Sequence, residues 1–459
     1  MDITNRLVTF WKELEYEKIP SYVIQKQKNV LIDNLSVMAA ATRLEPSCRD
    51  FVRYAEQYSK PGKSTVLGGE VKVTAPFAAL ANGALAHALD YEDSHDTAFV
   101  HSNAVTIPSL MAVAEEKGNV DGKHFLTAMV IGSEVTCRLA LGLNEDLLNY
   151  GWYMPPVHGS LGAVFATAKL MDLSEEQLLD AVALDMNMYT CSGEVVNSRR
   201  SVIRLVRDAF AAQAAVVSCI MAKNGIKAGF ERPFEGNKGY YMAYARGNFN
   251  GEKIVDGLGE GWESAKVSMK PWPCCRATHT TLTGLKQILN ERNIPYGEIK
   301  EIHIKAGEIL RMVLEEHEVK YHPESVMNAK MSIPFAVGIL LTDGDVTLDG
   351  FKKERLQDRT VTSFAEKVTY EIVQKTDRKR AQTVEITIRM KDGTIYGCEV
   401  EHPLGSIENP MDLTDIYKKY SQCMEYSYRG KKKEEIEEIF KRLSYLEECE
   451  DINDIIKML

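Results

Sequence analysis

The sequence predicts a mainly α-helical protein with a large all-helical part and a smaller α/β part. Residues 1–265 carry helical patterns of apolar residues, residues 266–400 carry strand patterns, and residues 401–459 return to helix. A chain of 459 residues, 45% of them hydrophobic, is larger than one compact core usually absorbs. We therefore expect two or three domains.

Several segments of the first part have clear helical signals. Apolar residues recur at helical spacing in residues 21–42 and 75–89. Ser174 and Gln177 form a capping box ahead of an apolar run, which marks the start of a helix. Residues 209–222 are small and apolar on every side, a pattern typical of a helix buried against other helices.

Alternation of apolar and polar residues predicts strands in the α/β part. It occurs around residues 302–306, 384–390 and 396–400. Asp392-Gly393 lies between the last two runs, and this dipeptide predicts a tight hairpin. Helical patterns between and after the strands fall at residues 278–291, 331–341, 413–420 and 431–446.

The overall charge and the cysteines disfavour several classes of protein. A formal net charge of −10 disfavours binding to nucleic acid or to an anionic membrane, although a local group of Arg and Lys can still bind a small anion. No apolar run reaches the roughly 18 residues of a membrane span, and the N-terminus lacks a signal-peptide pattern, so we expect a cytoplasmic protein. The nine cysteines are scattered, which disfavours disulfides and an iron–sulfur cluster.

The densest group of reactive side chains follows an apolar helix and spans residues 87–101. It contains three His and four carboxylates, which are His87, Asp90, Glu92, Asp93, His95, Asp96 and His101. Such a cluster at a helix end suits acid/base chemistry, because Asp and His can transfer protons. A metal site is the competing hypothesis, although no metal-ligand motif is present. An exposed acidic helix end with capping roles is the third interpretation.

Three further segments are candidates for anion binding. His158 lies between prolines and a small-residue helix, whose N-terminus favours an anion, or it is an ordinary core histidine. Arg200, Arg204 and Arg207 share one helix face, opposite either a substrate or carboxylates of the fold. The proline-stiffened loop that begins at Lys270 and includes Arg276 lies at the expected domain boundary. It is either part of a ligand cleft or a rigid linker.

Five motifs in order along the chain resemble those of the MmgE/PrpD family, which includes 2-methylcitrate dehydratase, cis-aconitate decarboxylase and iminodisuccinate epimerase. The motifs lie at 62–68, 81–93, around His158, at 270–279 and at 407–411, so the resemblance covers nearly the whole chain. It implies a helical domain built from both chain ends and an inserted α/β lid over residues 266–400. It also implies a homodimer, a site between helical domain and lid, and no metal or organic cofactor. The glycine-rich segment 257–261 is the expected hinge of the lid.

The same resemblance assigns the site residues. The catalytic residues it implies are Asp90, His101, His158 and Lys270, and the substrate-binding residues it implies are Ser94, Arg204 and Phe335. Arg276 is added to the substrate-binding residues for its positive charge in the proline loop. Three of these depart from the family pattern. Ser94 replaces Thr and keeps a hydroxyl, Arg204 replaces Lys and loses a proton donor, and Phe335 replaces Tyr and loses an acid.

These observations predict a cofactor-independent lyase on a small polycarboxylate, of the 2-methylcitrate dehydratase or cis-aconitate decarboxylase type. Such reactions develop carbanion-like charge beside a carboxylate, so the site must hold carboxylates with cations and move one proton. The alternative is an epimerase or racemase of an amino- or imino-dicarboxylate, which reprotonates the same carbanion. A non-catalytic binding protein that keeps the fold is a third interpretation.

Overall fold

The computed structural model describes residues 2–197, 202–373 and 382–459. These residues divide into two compact units, the first formed by residues 1–269 with 412–459 and the second by residues 270–411. The helices, in chain order, are α1 (Ile3–Glu13), α2 (Ser21–Leu44), α3 (Pro46–Tyr58), α4 (Ala75–His87), α5 (Ser102–Lys117), α6 (Gly122–Leu141), α7 (Pro155–Leu170), α8 (Glu175–Met188), α9 (Ile203–Val206), α10 (Asp208–Lys223), α11 (Tyr240–Ala245), α12 (Gly251–Val255), α13 (His279–Arg292), α14 (Arg311–Leu314), α15 (His317–Tyr321), α16 (Val326–Lys330), α17 (Ile333–Asp343), α18 (Arg359–Ala365), α19 (Leu413–Glu425), α20 (Lys433–Ser444) and α21 (Asn453–Ile456). The strands are β1 (Pro61–Ser64), β2 (Ile299–Gly307), β3 (Val368–Val373), β4 (Val384–Met390) and β5 (Ile395–Val400). The prediction of a mainly α fold is therefore confirmed.

Closely packed helices rich in small residues form the centre of the first unit. A Cβ atom on Gly162 of α7 would lie 1.9 Å from Thr136 Oγ1 of α6, so only glycine permits this approach of the two helices. Gly83 of α4 has the same role against Ala209 of α10. The predicted capping box at Ser174 is confirmed, with both of its hydrogen bonds present at the start of α8.

The expectation that no segment is long enough to span a membrane is corrected at α9 and α10. Together Ile203–Lys223 has the length and hydropathy of a span, because α9 extends the apolar run of α10 toward the N-terminus. Within the described chain, 67% of its apolar window is buried inside the protein, as in the core helix of a globular domain.

The glycine-rich segment predicted as a hinge is tied to α6. Arg138 of α6 is buried, and its guanidinium donates hydrogen bonds to four backbone carbonyls, those of Ile254, Asp256, Gly257 and Gly261. A hinge at this position would have to break these bonds, so its mobility stays a prediction that the contacts do not favour.

A four-stranded sheet with the strand order β3-β2-β4-β5 forms the framework of the second unit. β2 pairs antiparallel with β4, which pairs antiparallel with β5 through the predicted hairpin, where Gly393 has a φ of 92°. β3 pairs parallel with β2 and was not predicted from the sequence. The buried faces of β2 and β4 pack with α13 and α17 into one apolar core, in which Ile304 and Ile386 are fully buried.

Candidate active site

The reactive cluster begins where α4 ends. His87 is the last residue of α4, and Asp90 then adopts a left-handed backbone conformation with a φ of 50°. This conformation is uncommon outside glycine, although Asp and Asn tolerate it better than most residues. The Asp90 amide donates to the His87 carbonyl at 2.9 Å. The chain thereby turns sharply and reaches α5, for which His101 is the N-cap residue.

A buried glutamate holds two imidazole rings together. Oε1 of Glu92 lies 2.5 Å from Nδ1 of His87 and 2.8 Å from Nδ1 of His101, and the two rings are 4.7 Å apart. Glu92 is fully buried and His87 nearly so. Burial, followed by the positive charge of Arg207, lowers the pKa of His87. The cluster is therefore a compact acid/base network inside the first unit.

The tautomer of His101 follows from its neighbours. Its Nδ1 also lies 3.0 Å from the backbone carbonyl of Asp93, and a carbonyl oxygen can only accept a hydrogen bond. Nδ1 therefore carries the proton, so Nε2 is the basic nitrogen of the neutral ring. Within the described residues Nε2 has no hydrogen-bond partner, and 17% of the side chain is exposed, so this nitrogen is available to a ligand.

The same cluster contains a potential metal-ligand set. One ligand atom from each of His87, Asp90, Glu92 and His101 lies within 4.8 Å of the others, and two His with two carboxylates could hold a divalent cation. However, the two Nδ1 atoms face Glu92 Oε1 at hydrogen-bonding distance, and that of His101 also donates to the Asp93 carbonyl. A metal bound through these Nδ1 atoms would have to displace their protons, so the contacts at Nδ1 favour proton transfer over metal binding.

The backbone of the cluster is held by Asp93, which is itself fully buried. Its carboxylate accepts hydrogen bonds from Asn34 at 2.9 Å, Asn103 at 3.0 Å and Ser102 at 3.1 Å. Burial raises the pKa of Asp93. These bonds join α2 and α5 to the loop, so they fix the direction of the His101 ring.

A buried ion pair supports the loop from the C-terminal helices. Nζ of Lys419 in α19 lies 2.6 Å from Asp33 in α2 and also donates to the carbonyl of Tyr91 at 2.6 Å. Burial raises the pKa of Asp33 to about 6, although the nearby ammonium opposes this shift. The loop therefore depends on residues more than 300 positions away in the sequence.

Ser94 and His158, two of the predicted site residues, lie in the first unit as well. Ser94 is buried, and its backbone exchanges hydrogen bonds with Ser268. His158 lies in the first turn of α7, and neither of its ring nitrogens has a hydrogen-bond partner within the described residues. Burial lowers the pKa of His158 to about 3, so the ring is neutral at physiological pH. The ring of Tyr240 is 5.9 Å away, and its hydroxyl is also buried.

Two of the three arginines predicted to share one helix face lie within the described residues. Arg200 lies outside the described residues, Arg204 lies in the short helix α9, and Arg207 follows α9 as a buried side chain. The Arg207 guanidinium donates to the carbonyl of Arg204 and lies 5.0 Å from the centre of the Tyr153 ring. Arg204 is half-buried, so the two side chains have different surroundings.

The second unit holds the other predicted site residues. Lys270 is fully buried, and Arg276 donates to the carbonyl of Leu404 at 2.8 Å. Phe335 is fully buried in the apolar core, with its ring 6.5 Å from that of Phe351. The roles predicted for these three residues stay predictions.

Glu92 and Arg207 were not assigned to the site from the sequence. Glu92 lies inside the 81–93 motif, and its position between two histidines was the available signal. Arg207 belongs to the basic run, but only the structure separates its buried side chain from that of Arg204.

Comparison with known proteins identifies the family of the chain. The profile of the MmgE/PrpD N-terminal domain matches residues 5–252, and that of the MmgE/PrpD C-terminal domain matches residues 272–445. A cis-aconitate decarboxylase of Aspergillus terreus is 24% identical over 100% of this chain and 96% of its own length. The human cis-aconitate decarboxylase is 23% identical over 99% of this chain and 94% of its own, and the mouse enzyme is 23% identical over 97% and 91%. These relatives are lyases, and the chain belongs to the MmgE/PrpD family of enzymes.

Proposed function

We propose that the protein is a cofactor-independent lyase that acts on a small polycarboxylate. The observation that carries this proposal is the orientation of His101, whose Nδ1 is held by buried Glu92 and the Asp93 carbonyl while Nε2 remains available. The full-length similarity to cis-aconitate decarboxylases supports the same reaction class. Of the two activities, we favour decarboxylation of a cis-aconitate-like acid over dehydration of a 2-methylcitrate-like acid.

The proposed decarboxylation begins with cleavage of a carbon–carbon bond to a carboxylate. Carbon dioxide leaves, and the electron pair spreads into a neighbouring conjugated carboxylate as an enediolate. Protonated His101 then delivers a proton from Nε2 to carbon, while the Glu92 carboxylate stabilises the imidazolium before the transfer. Asp90, whose ligand oxygen lies within 4.8 Å of the same group, orients or relays that proton.

His158 has a different role from the one its motif first indicates. Because its pKa is lowered to about 3, the ring does not store a proton at neutral pH. A neutral imidazole can still donate an N–H hydrogen bond to the charge that develops on the substrate. We assign that stabilising role to His158 and the proton transfer to His101.

The test is to incubate the purified protein with cis-aconitate, 2-methylcitrate, citrate and an amino-dicarboxylate in deuterated water and to follow the products by proton NMR. A lyase forms a new alkene, with release of carbon dioxide or water. Deuterium exchange without a new product would identify an epimerase and overturn the proposal, as would no reaction with any acid. His101→Asn should abolish turnover, whereas His402→Asn, at an exposed ring, is the matched control and should retain it.

A further inference from the structure

The Arg207 guanidinium is buried beside the proposed site but has few partners. Only 2% of the residue is exposed, and it is the largest of the fully buried side chains. A guanidinium carries five N–H donors, and within the described residues one of them is engaged, by the carbonyl of Arg204. Nε has no hydrogen-bond partner there. A buried charge with unused donors is costly, so the arrangement calls for an acceptor.

The neighbouring carboxylates do not supply that acceptor. Asp208 Oδ2 lies 3.8 Å from Arg207 Nε, which is too long for a hydrogen bond. Oε1 of Glu92 faces the two imidazole rings, and no ion pair within 4.0 Å joins Glu92 to Arg207 among the described residues. Both carboxylates therefore balance the charge of Arg207 from a distance and leave its donors unused.

The location of Arg207 connects it with the acid/base cluster. Its positive charge contributes to the lowered pKa of His87, the partner of Glu92. Its guanidinium also lies over the ring of Tyr153, two residues before α7, whose first turn contains His158. Arg207 thus acts electrostatically on His87 and Glu92, the latter of which holds His101, and its partner Tyr153 adjoins the helix that bears His158.

We propose that Arg207 binds a carboxylate of the substrate that does not itself react, and that it thereby selects polycarboxylates. Two parallel N–H donors of a guanidinium match the two oxygens of a carboxylate, which a lysine ammonium cannot reproduce. This inference rests on the proposed function, because it assigns the second carboxylate of the same substrate. The competing role is that of a structural counter-ion for Asp208.

Isothermal titration calorimetry with three unreactive acids tests the proposal. Tricarballylate carries three carboxylates, glutarate lacks its central one, and methylsuccinate lacks a terminal one. Arg207→Lys should weaken tricarballylate binding about 10-fold or more, through loss of the paired hydrogen bonds. The diacid that lacks the carboxylate bound by Arg207 should bind the variant and the wild type equally, whereas the other should lose affinity as tricarballylate does.

A double variant separates ligand binding from structural support. Arg207→Met/Asp208→Asn removes both charges together, so neither is left buried alone. It should fold, as judged by circular dichroism, and should lose at least as much tricarballylate affinity as Arg207→Lys. Arg53→Lys, at an exposed residue of α3, is the matched control and should bind as the wild type does.

Several outcomes would overturn the proposal. They are unchanged tricarballylate affinity in a folded Arg207 variant, an equal loss for all three acids, failure of both variants to fold, or no binding of tricarballylate to the wild type. The proposed function is judged separately by the NMR assay. If the protein turns over a polycarboxylate and the Arg207 variants bind tricarballylate as the wild type does, only this inference is refuted. If binding depends on Arg207 but no acid is turned over, only the proposed lyase activity is refuted.

Discussion

His158 should make the stability of the first unit sensitive to acid, because its ring is buried without a hydrogen-bond partner among the described residues. Burial lowers its pKa from 6.5 to about 3. Below its ordinary pKa the unfolded chain takes up a proton at this residue, whereas the folded protein does not until the pH approaches 3. The stability is therefore fully present above pH 6.5 and is lost as the pH falls toward 3.

The size of this effect follows from the two pKa values. Each pH unit below the ordinary pKa costs about 1.4 kcal/mol, so at about pH 5 the burial of neutral His158 costs about 2 kcal/mol. His158→Gln removes the titrating group and should remove this cost. Between about pH 7.5 and pH 5, the wild type should therefore lose about 2 kcal/mol more unfolding free energy than the variant.

Equilibrium urea unfolding, followed by circular dichroism at both pH values, measures the difference. Other titrating groups, such as Asp33 with its raised pKa, are present in both proteins and cancel in the comparison. His402→Gln, at an exposed ring, controls for the simple loss of an imidazole. An equal loss of stability in the wild type and His158→Gln would refute the argument, because it would mean that the ring takes up its proton in the folded state.

Further changes test the other parts of the network. Glu92→Gln should lower kcat about 10²-fold or more, because the amide no longer stabilises protonated His101; an unchanged pH profile of kcat would contradict this. Lys419→Met should cost about 3–5 kcal/mol of unfolding free energy, because Asp33 is left buried without its cation, and a loss below about 1 kcal/mol in urea unfolding would show that the pair contributes little. Exhaustive chelation should leave turnover unchanged, since Glu92 engages Nδ1 of both histidines and the proposed proton transfer uses only side chains of the protein; loss of activity that added metal restores would contradict it. Light scattering at micromolar concentration should give the mass of a dimer, as the family resemblance implies, and a monomer would overturn that expectation.

Local signals explain why much of the fold could be predicted. The capping box at Ser174, the Asp392-Gly393 hairpin and the small-residue helix α10 each depend on residues close in sequence. β3 depends also on parallel pairing with β2, in which Val368 lies opposite Ile302. Apolar and polar residues alternate from Val368 to Ile372, and burial alternates with them, so a local strand signal was present and was overlooked.

In the candidate site, too, contacts between residues close in sequence could be predicted, and contacts between distant residues could not. His87, Glu92 and His101 lie within fifteen residues, so their clustering could be expected from the sequence. The position of Arg207 near this cluster results from the packing of α4 against α9 and α10, which brings together residues more than 100 positions apart. No local pattern distinguishes Arg207 from Arg204, because their different burial is a property of the folded helices.

The discontinuous first unit has a consequence for synthesis on the ribosome. α19 and α20 pack against α2, and the start of α6 is bonded to the chain near residue 450, through Gly122 to Cys449 and Val120 to Ile452. The second unit is continuous in sequence, so all of its residues emerge before the first unit can close. During that interval the part of α2 that α19 and α20 cover is without these partners, and exposed apolar surface of this kind favours aggregation. Codon changes that slow translation between residues 270 and 411 should therefore lengthen this interval and lower the yield of folded protein without altering a single residue.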